Sequence, residues 1–445
     1  MRVAATLLAS PGLSLPQATE DWSDLKAAYR FLSNPRVMPD DIQAPQRNFV
    51  LRRCAAAPVV LCVEDGTDFS FTNRTHMGGL GTIGDGGARG FDMHSALAVT
   101  PQGEMLGVLD QRFIAREYLG SRHERRADRQ VRWRESQLWI EALKRIGDFP
   151  VECRVVMVAD RGADDLETFH ACIERRIGFV IRAKHDRNVQ DESGKLWEWA
   201  QGLPVADTRT IEIGSNASRS STYVRKARKA EVSVRFGSIE LKATQRCSRP
   251  PIRVGVVYVR EDKPPSGEGI EPVDWLLLCD QPLNTLAEAQ ERILWYSNRW
   301  IIEEWHRALK EGCRIEAFQL DQAIDMQRLA VILGPVAAWL LQLRNLARNS
   351  LEPKRAQNPE GTSSPCVQSP EKLRECVTPE WIQVVATMTR QDPATMTPSD
   401  FWLAVARRGG YTGRNKDGPP GWKTIWRGWY EFQQMVDYLR ASSCG

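Results

Sequence analysis

The chain has 445 residues, 42% hydrophobic and 26% charged, with a formal net charge of +4 and a pI near 8.5. That is enough apolar chain for two or three cored domains, and too weak a basic balance to establish a nucleic-acid partner, although it allows basic surfaces around an acidic centre. Ten cysteines without a C-x-x-C pair and six histidines without zinc-ligand spacing argue against a disulfide scaffold or a zinc site and fit a reduced cytosol.

In chain order, the opening MRVAATLLASPGLSLPQA has too short an apolar run for a secretion signal and leads straight into an acidic, helix-like segment. Asp21 caps WSDLKAAYRFL, Asn34-Pro35 breaks it, and Pro39-Asp40-Asp41 starts another helix, so 1–54 reads as a small helical region with its helices in 20–54. From 58 the pattern turns to β: PVVLCVED, then FDMHSALAVT and MLGVLDQRFI around the turn Pro101-Gln102-Gly103, an antiparallel meander. The helix RESQLWIEALKRI, the strand CRVVMVAD, the helix LETFHACIERR and the strand GFVIRAKH follow. This order predicts an α/β domain with a ribonuclease-H-like mixed sheet over 55–204 and 281–349.

Four strand patterns in 205–280 (TRTIEIG, AEVSVRFGSIELKA, IRVGVVYVRE and VDWLLLCD) read as a β-strand-rich insertion. Long helices are expected over about 286–312 and 325–349. The most apolar run, 329–341, is shorter than the roughly 20 residues of a bilayer span and contains Pro335, so no membrane partner is expected. A Pro/Ser/Asn-rich stretch at 350–371 reads as a linker, and 372–445 as a tryptophan-rich helical domain.

Asp65 and Asp160 end two of the buried strands, at a sheet edge where loops leave a cleft and metal ligands are expected. A lone strand-end aspartate is more often a turn cap, so position alone decides little. WYSNRWIIEEWHRALKEG carries more. At about 100° per residue, Tyr296, Arg299, Glu303 and Lys310 fall within an arc of roughly 60°, opposite Leu294, Ile301, Trp305, Ala308 and Leu309. Two readings fit that face: a solvated surface with Arg299–Glu303 and Glu303–Arg307 ion pairs, or a groove where Glu303 meets a metal and the cations hold phosphates.

The spacing Tyr-x2-Arg-x3-Glu-x6-Lys at Tyr296, Arg299, Glu303 and Lys310 resembles the signature of bacterial transposases similar to that of transposon five, in the insertion-sequence-four family. VED at 63–65, RGFDMHS at 89–95, VADRGAD at 158–164, VIRAKH at 180–185, DWLLL at 274–278 and AYRFLSNP at 28–35 stand in that family's order, so the resemblance covers nearly the whole chain. It implies a DDE triad of Asp65, Asp160 and Glu303 binding two magnesium ions, for which manganese may substitute. The implied reaction is cut-and-paste transposition: nicking at a transposon end, hairpin formation and opening, and strand transfer into target DNA. The partner is then double-stranded DNA, contacted by Tyr296, Arg299 and Lys310, with Arg307 and His306 on the same helix and Trp275 receiving a flipped base. Arg122, Arg125, Arg126, Arg129, Arg132 and Arg134, and Arg219, Arg225, Lys226, Arg228 and Lys229, would neutralise phosphates. A helical stripe of Trp422, Ile425, Trp426, Trp429, Phe432 and Val436 would serve a homodimer on DNA, intramolecular packing being the alternative. Such a protein would act on the bacterial nucleoid in the cytoplasm. Few residues precede AYRFLSNP, where relatives carry further helical sequence, so a shortened inhibitor acting through heterodimers is the alternative function; a ribonuclease-H-like nuclease that cuts without joining is a second.

Overall fold

The computed structural model describes residues 2–10, 12–19, 21–84, 87–116, 137–189, 194–213, 228–242, 249–265, 272–351, 369–414 and 420–443. Four helices open the chain: α1 (Arg2–Ala9), α2 (Leu15–Ala18), α3 (Trp22–Leu32) and α4 (Pro39–Cys54). Strands β1 (Val59–Ser70), β2 (Gly81–Ile83), β3 (Ala88–Val99) and β4 (Met105–Ile114) follow, then α5 (Gln137–Ile146), β5 (Arg154–Ala159), α6 (Leu166–Glu174), β6 (Gly178–Arg182) and α7 (Leu196–Gly202). Next come β7 (Asp207–Ile213), β8 (Arg228–Leu241), β9 (Ile252–Arg260) and β10 (Asp274–Cys279), and then α8 (Leu286–Ser297), α9 (Trp300–Arg307) and α10 (Ala323–Leu351). The C-terminal helices are α11 (Pro370–Cys376), α12 (Pro379–Thr389), α13 (Pro398–Arg408) and α14 (Trp422–Ser443).

The strands form one mixed sheet in the order β2-β3-β1-β5-β6-β10-β9-β8-β7, with β4 on the outer side of β3. β1, β3 and β4 pair antiparallel, while β5 and β6 continue in parallel from β1. That is the α/β arrangement which the order of strand and helix patterns implied. The strands of 205–280 do not stand apart as the word insertion suggested: β10 pairs with β6, and β9, β8 and β7 extend the same sheet. Pairing between β6 and β10 joins residues about 100 positions apart, which local periodicity cannot report. Sequence reading also missed α1 and α2. Leu7 and Leu15 on them are 0% and 2% exposed, so tertiary packing rather than intrinsic propensity holds these short helices.

Apolar side chains on the two faces of the sheet form two cores. Leu61, Val63, Val156 and Val158 join the residues of α8, α9 and α10; Val60, Cys62, Val155 and Met157 join α5 and α6. The first 20 residues of α10, Ala323–Gln342, are long and apolar enough to cross a membrane by length and composition, contrary to the expectation from 329–341 alone. Here most of that segment is buried as a core helix. The predicted linker lies, for 352–368, outside the described residues.

Four residues of the α14 stripe are covered inside the chain. Ile425, Trp429, Phe432 and Val436 are at most 2% exposed and pack with Trp381, Phe401 and Trp402 of α12 and α13 and with Trp339 of α10. Trp402 and Trp429 stack with ring centroids 5.2 Å apart. Intramolecular packing thus replaces the dimer as the reason for these residues.

Arg328 of α10 fastens the N-terminal helices to this body. It is buried and donates to Leu32 O at 2.7 Å, to Val37 O at 2.5 Å and to Asp325 Oδ1 at 2.6 Å. Replacing it by alanine leaves two carbonyls and a carboxylate without their donor. Arg328→Ala is expected to cost roughly 3 kcal/mol, read as a lowered urea midpoint together with faster proteolysis within 1–38. An unchanged midpoint would contradict this anchoring.

Candidate active site

Strand alternation decides which carboxylates meet. On β1, Leu61 and Val63 face α8–α10, so Asp65 follows them to that side while Glu64 turns to the other. On β5, Val156 and Val158 carry Asp160 to the same side. The parallel register pairs Glu64 with Ala159, so Asp65 and Asp160 come next in step; Asp160 directly follows β5 as expected, whereas Asp65 does not end its strand, because β1 runs on to Ser70 in pairing with β3. Asp160 Oδ1 takes the turn-capping role that sequence also allowed, accepting from Gly162 N–H at 2.8 Å, whereas Asp65 Oδ1 accepts from its neighbour Gly66 N–H at 2.7 Å inside β1. Capping and site geometry are compatible.

Glu303 arrives on a helix that is not continuous. A capping box of Thr285 and Glu288 starts α8, which ends at Ser297. The chain then turns at Asn298, whose Nδ2 donates to Pro101 O at 2.9 Å in the β3–β4 turn. α9 passes at Arg307 into a π turn, Ala308–Gly312, closed by Cys313 N–H on Ala308 O at 2.8 Å. The break and the wider turn shift the phase that an unbroken helix over 286–312 would keep. Leu294, expected to be buried, is 51% exposed, and Tyr296, expected in the groove, is 6% exposed. Behind α9, the Trp305 indole N–H donates to Gly334 O at 2.9 Å, and Glu304 pairs with Arg344 of α10.

Arg299 joins the carboxylates. Its Nη1 donates to Asp65 Oδ2 at 3.1 Å and its Nη2 to Glu303 Oε1. Burial pushes the Asp65 carboxyl up to about 7, and the negative charges of Asp160 and Glu303 add to the rise against the pull of Arg299 and Gly66 N–H. Burial also opposes the charge on Arg299, but Glu303, Tyr296 and Asp65 outweigh it and hold the guanidinium firmly protonated.

The donor set of hard carboxylate oxygens suits a divalent cation, whose charge would offset the burial and the neighbouring carboxylates that raise Asp65. Among the described residues, however, no three His, Cys, Asp or Glu side chains stand in ligating geometry. Arg299 holds Asp65 and Glu303 in their place. Two cavities open over these groups. One of about 520 Å³ is lined by Asp65, Glu303, His306, Arg307 and Lys310; one of about 660 Å³ is lined by Asp160, Gly162 and Lys184; both include Gly66 and Thr67.

The remaining sequence-derived residues divide. Arg307 is exposed on the first cavity, and Lys310 reaches Asp68 Oδ1 at 3.3 Å with its ammonium 5.4 Å from the Phe69 ring centroid. Trp275 meets Tyr296 edge to face at 5.9 Å. His306, expected among the DNA contacts, is 6% exposed and bonds Ser95 Oγ at 3.4 Å. Burial, with Lys310, His94 and Arg299 nearby, lowers its pKa to about 3, so it is a neutral support beneath the cavity wall and no phosphate-binding cation. Of the basic clusters, Arg122 to Arg134 and Arg219, Arg225 and Lys226 lie outside the described residues. Arg228 is engaged by buried Glu261 in an ion pair on the sheet.

Sequence reading passed over Lys184 and the Glu64–His94 pair. Lys184 lines the Asp160 cavity from within VIRAKH. Glu64 Oε2 and His94 Nε2 lie 3.0 Å apart in the core directly behind Asp65, with burial lifting Glu64 and lowering His94 to about 3. Both stood inside motifs already noted, VED and RGFDMHS, and strand alternation alone would have sent Glu64 to the opposite face from Asp65.

Residues 65–341 match the family model of the transposase DDE domain, and residues 1–37 that of transposase DNA-binding. A solved structure, the piggyBac transposase synaptic complex with hairpin DNA, aligns over 74% of this chain at 8% identity with a TM-score of 0.33. The chain covers 56% of the length of that protein. The DDE match begins at Asp65, takes in Asp160 and Glu303 and spans more than half of the chain, which therefore belongs to the DDE transposase family.

Proposed function

We propose that this protein is a cut-and-paste DNA transposase of the insertion-sequence-four type with a ribonuclease-H-like core, in which Asp65, Asp160 and Glu303 hold the catalytic metal. One observation carries this reading. Two aspartates of adjacent parallel strands share one face, and the glutamate of the Tyr-Arg-Glu-Lys helix is tied to the first of them by Arg299. DDE domains use divalent metal, and two magnesium ions, or manganese in their place, would activate the attacking oxygen and neutralise charge on the leaving one.

The chain's own residues supply the rest. Every step is an in-line displacement at phosphorus: water attacks at the transposon end and the 3′ oxygen leaves, and that freed 3′ hydroxyl then attacks the opposite strand to close a hairpin. Water opens the hairpin, and the 3′ hydroxyl finally attacks target DNA. One site serves all four because attacking and leaving oxygens exchange roles. Lys310, Arg307 and Lys184 rim the cavities where a phosphate backbone would lie, and their charge would release counterions from it. Trp275, half-buried on Tyr296, presents an aromatic platform for a base unstacked by the hairpin bend. The N-terminal match to transposase DNA-binding supports recognition of transposon ends by 1–37. The protein would act as a homodimer on bacterial nucleoid DNA in the cytoplasm.

The direct test is excision from a supercoiled plasmid that carries the DNA flanking this gene. Cleavage is expected with Mg2+ or Mn2+ and none in EDTA. Asp65→Asn, Asp160→Asn and Glu303→Ala should each lower the rate about a thousandfold or more while plasmid binding persists. Undiminished cleavage by Glu303→Ala would refute the assignment. No cleavage by the unaltered chain, together with inhibition of a longer relative on mixing, would favour the inhibitor; cleavage without joined products would favour a nuclease.

Trp275→Ala separates the hairpin from the first nick. Loss of base stacking worth roughly 1–3 kcal/mol should slow hairpin formation about tenfold to a hundredfold, with nicking nearly unchanged on a denaturing gel. Equal slowing of both steps would assign Trp275 to packing.

A further inference from the structure

Gly312 ends the π turn, two residues after Lys310, and has no room for a side chain. A Cβ there would lie 2.0 Å from Cζ2 and 2.2 Å from Cε2 of Trp426, so the indole of α14 rests against the Gly312 backbone. From the other end of the chain, a Cβ on Gly12, which has a φ of +84°, would lie 2.7 Å from Gly312 O. One peptide beside the cavity is therefore held between N-terminal and C-terminal segments.

Trp426 differs from the rest of its stripe. Ile425 and Trp429 belong to the C-terminal core, whereas Trp426 packs against the core that contains Trp305 and Leu309. Its place is set by backbone contact. α13 and α14 cross at two glycines, where a Cβ on Gly428 would lie 1.9 Å from Val405 O and one on Gly409 1.8 Å from Thr424 O. α13 in turn sets Trp402 against Trp339 of α10, with ring centroids 6.5 Å apart. Trp426 is thus delivered by a rigid pair of helices. What it meets is a single turn of π-helix, a rare conformation that depends on surrounding packing. That turn directs Lys310 onto the rim of the cavity containing Asp65 and Glu303.

We propose that Trp426 is a positioning residue for the active site: packed on Gly312, it fixes the π turn that aims Lys310, so the C-terminal helices complete the DNA-cutting centre of their own chain. The cleavage half of this inference rests on the transposase reading above; the contact itself does not. Trp426→Leu keeps apolar cover but loses the ring, and Trp426→Phe restores an aromatic edge. On the flank-bearing plasmid at saturating protein, Trp426→Leu is expected to slow cleavage about as much as Lys310→Ala, and Trp426→Phe to recover most of the rate. The Trp426→Leu/Lys310→Ala double variant should be no slower than the slower single one. In the full chain without DNA, hydrogen exchange at the Cys313 amide should rise at least tenfold in Trp426→Leu, with the melting temperature showing a folded protein. Multiplying losses in the double variant, or unchanged cleavage with unchanged exchange at Cys313, would overturn the proposal. If the unaltered chain fails to cleave, the transposase reading falls, and exchange at Cys313 alone still decides the contact.

Discussion

Like charge on the neighbouring strands β1 and β5 is the constraint on which the rest of the site depends. Two unit charges 4 Å apart repel by about 4 kcal/mol at the effective dielectric of a protein surface, and Asp65 feels both Asp160 and Glu303 while buried. A fold that gathers such groups must offset the charge with a proton or a cation. Here Arg299 provides a cation, donating to Asp65 and Glu303 from the position between α8 and α9. That position exists because the helix breaks. An unbroken run through Asn298 would rotate Arg299 and Glu303 relative to Tyr296. Asn298 on Pro101 fixes the break, and Trp305 on Gly334 fixes α9 beyond it. Each of these bonds is remote from phosphorus chemistry, yet each sets where one carboxylate stands.

The faces of the two aspartates were legible because strand periodicity is local, but not that β1 runs past Asp65 to Ser70, which its pairing with β3 sets. A run such as VVLCVED states both its burial and the face of its last residue. The helix was legible in part. Its 3.6 period grouped Arg299, Glu303 and Lys310, but nothing in that period marks a break at Asn298 or a π turn at Ala308, since both are set by partners far along the chain. Tyr296 accordingly went to the interior and Leu294 to solvent. The same limit governs the sheet. TRTIEIG and VDWLLLCD read as strands, but that β10 joins β6 and carries β9, β8 and β7 into the main sheet follows from pairing, which is non-local. The stripe on α14 shows the reverse error. Its apolar face was read correctly, and its cover was sought in a second chain although Trp339, Trp381 and Trp402 lay within the first.

Arginine at position 299 has consequences that lysine would not have. Its planar fork reaches two carboxylates at once, and its charge survives burial where an ammonium would give up its proton more readily. The charge of the two carboxylates is therefore met in part by a group the chain itself supplies. Were Asp65 and Glu303 to hold a divalent cation, as proposed, it would compete with that guanidinium for their oxygens. Its advantage would be the higher charge, and a displaced Arg299 would stay tethered beside the groove, where a phosphate could accept its bidentate donors. The residue type that bridges the two carboxylates is thus also the one that would grip a phosphate in the proposed reaction. This would account physically for an arginine four residues before the glutamate, at the junction of α8 and α9.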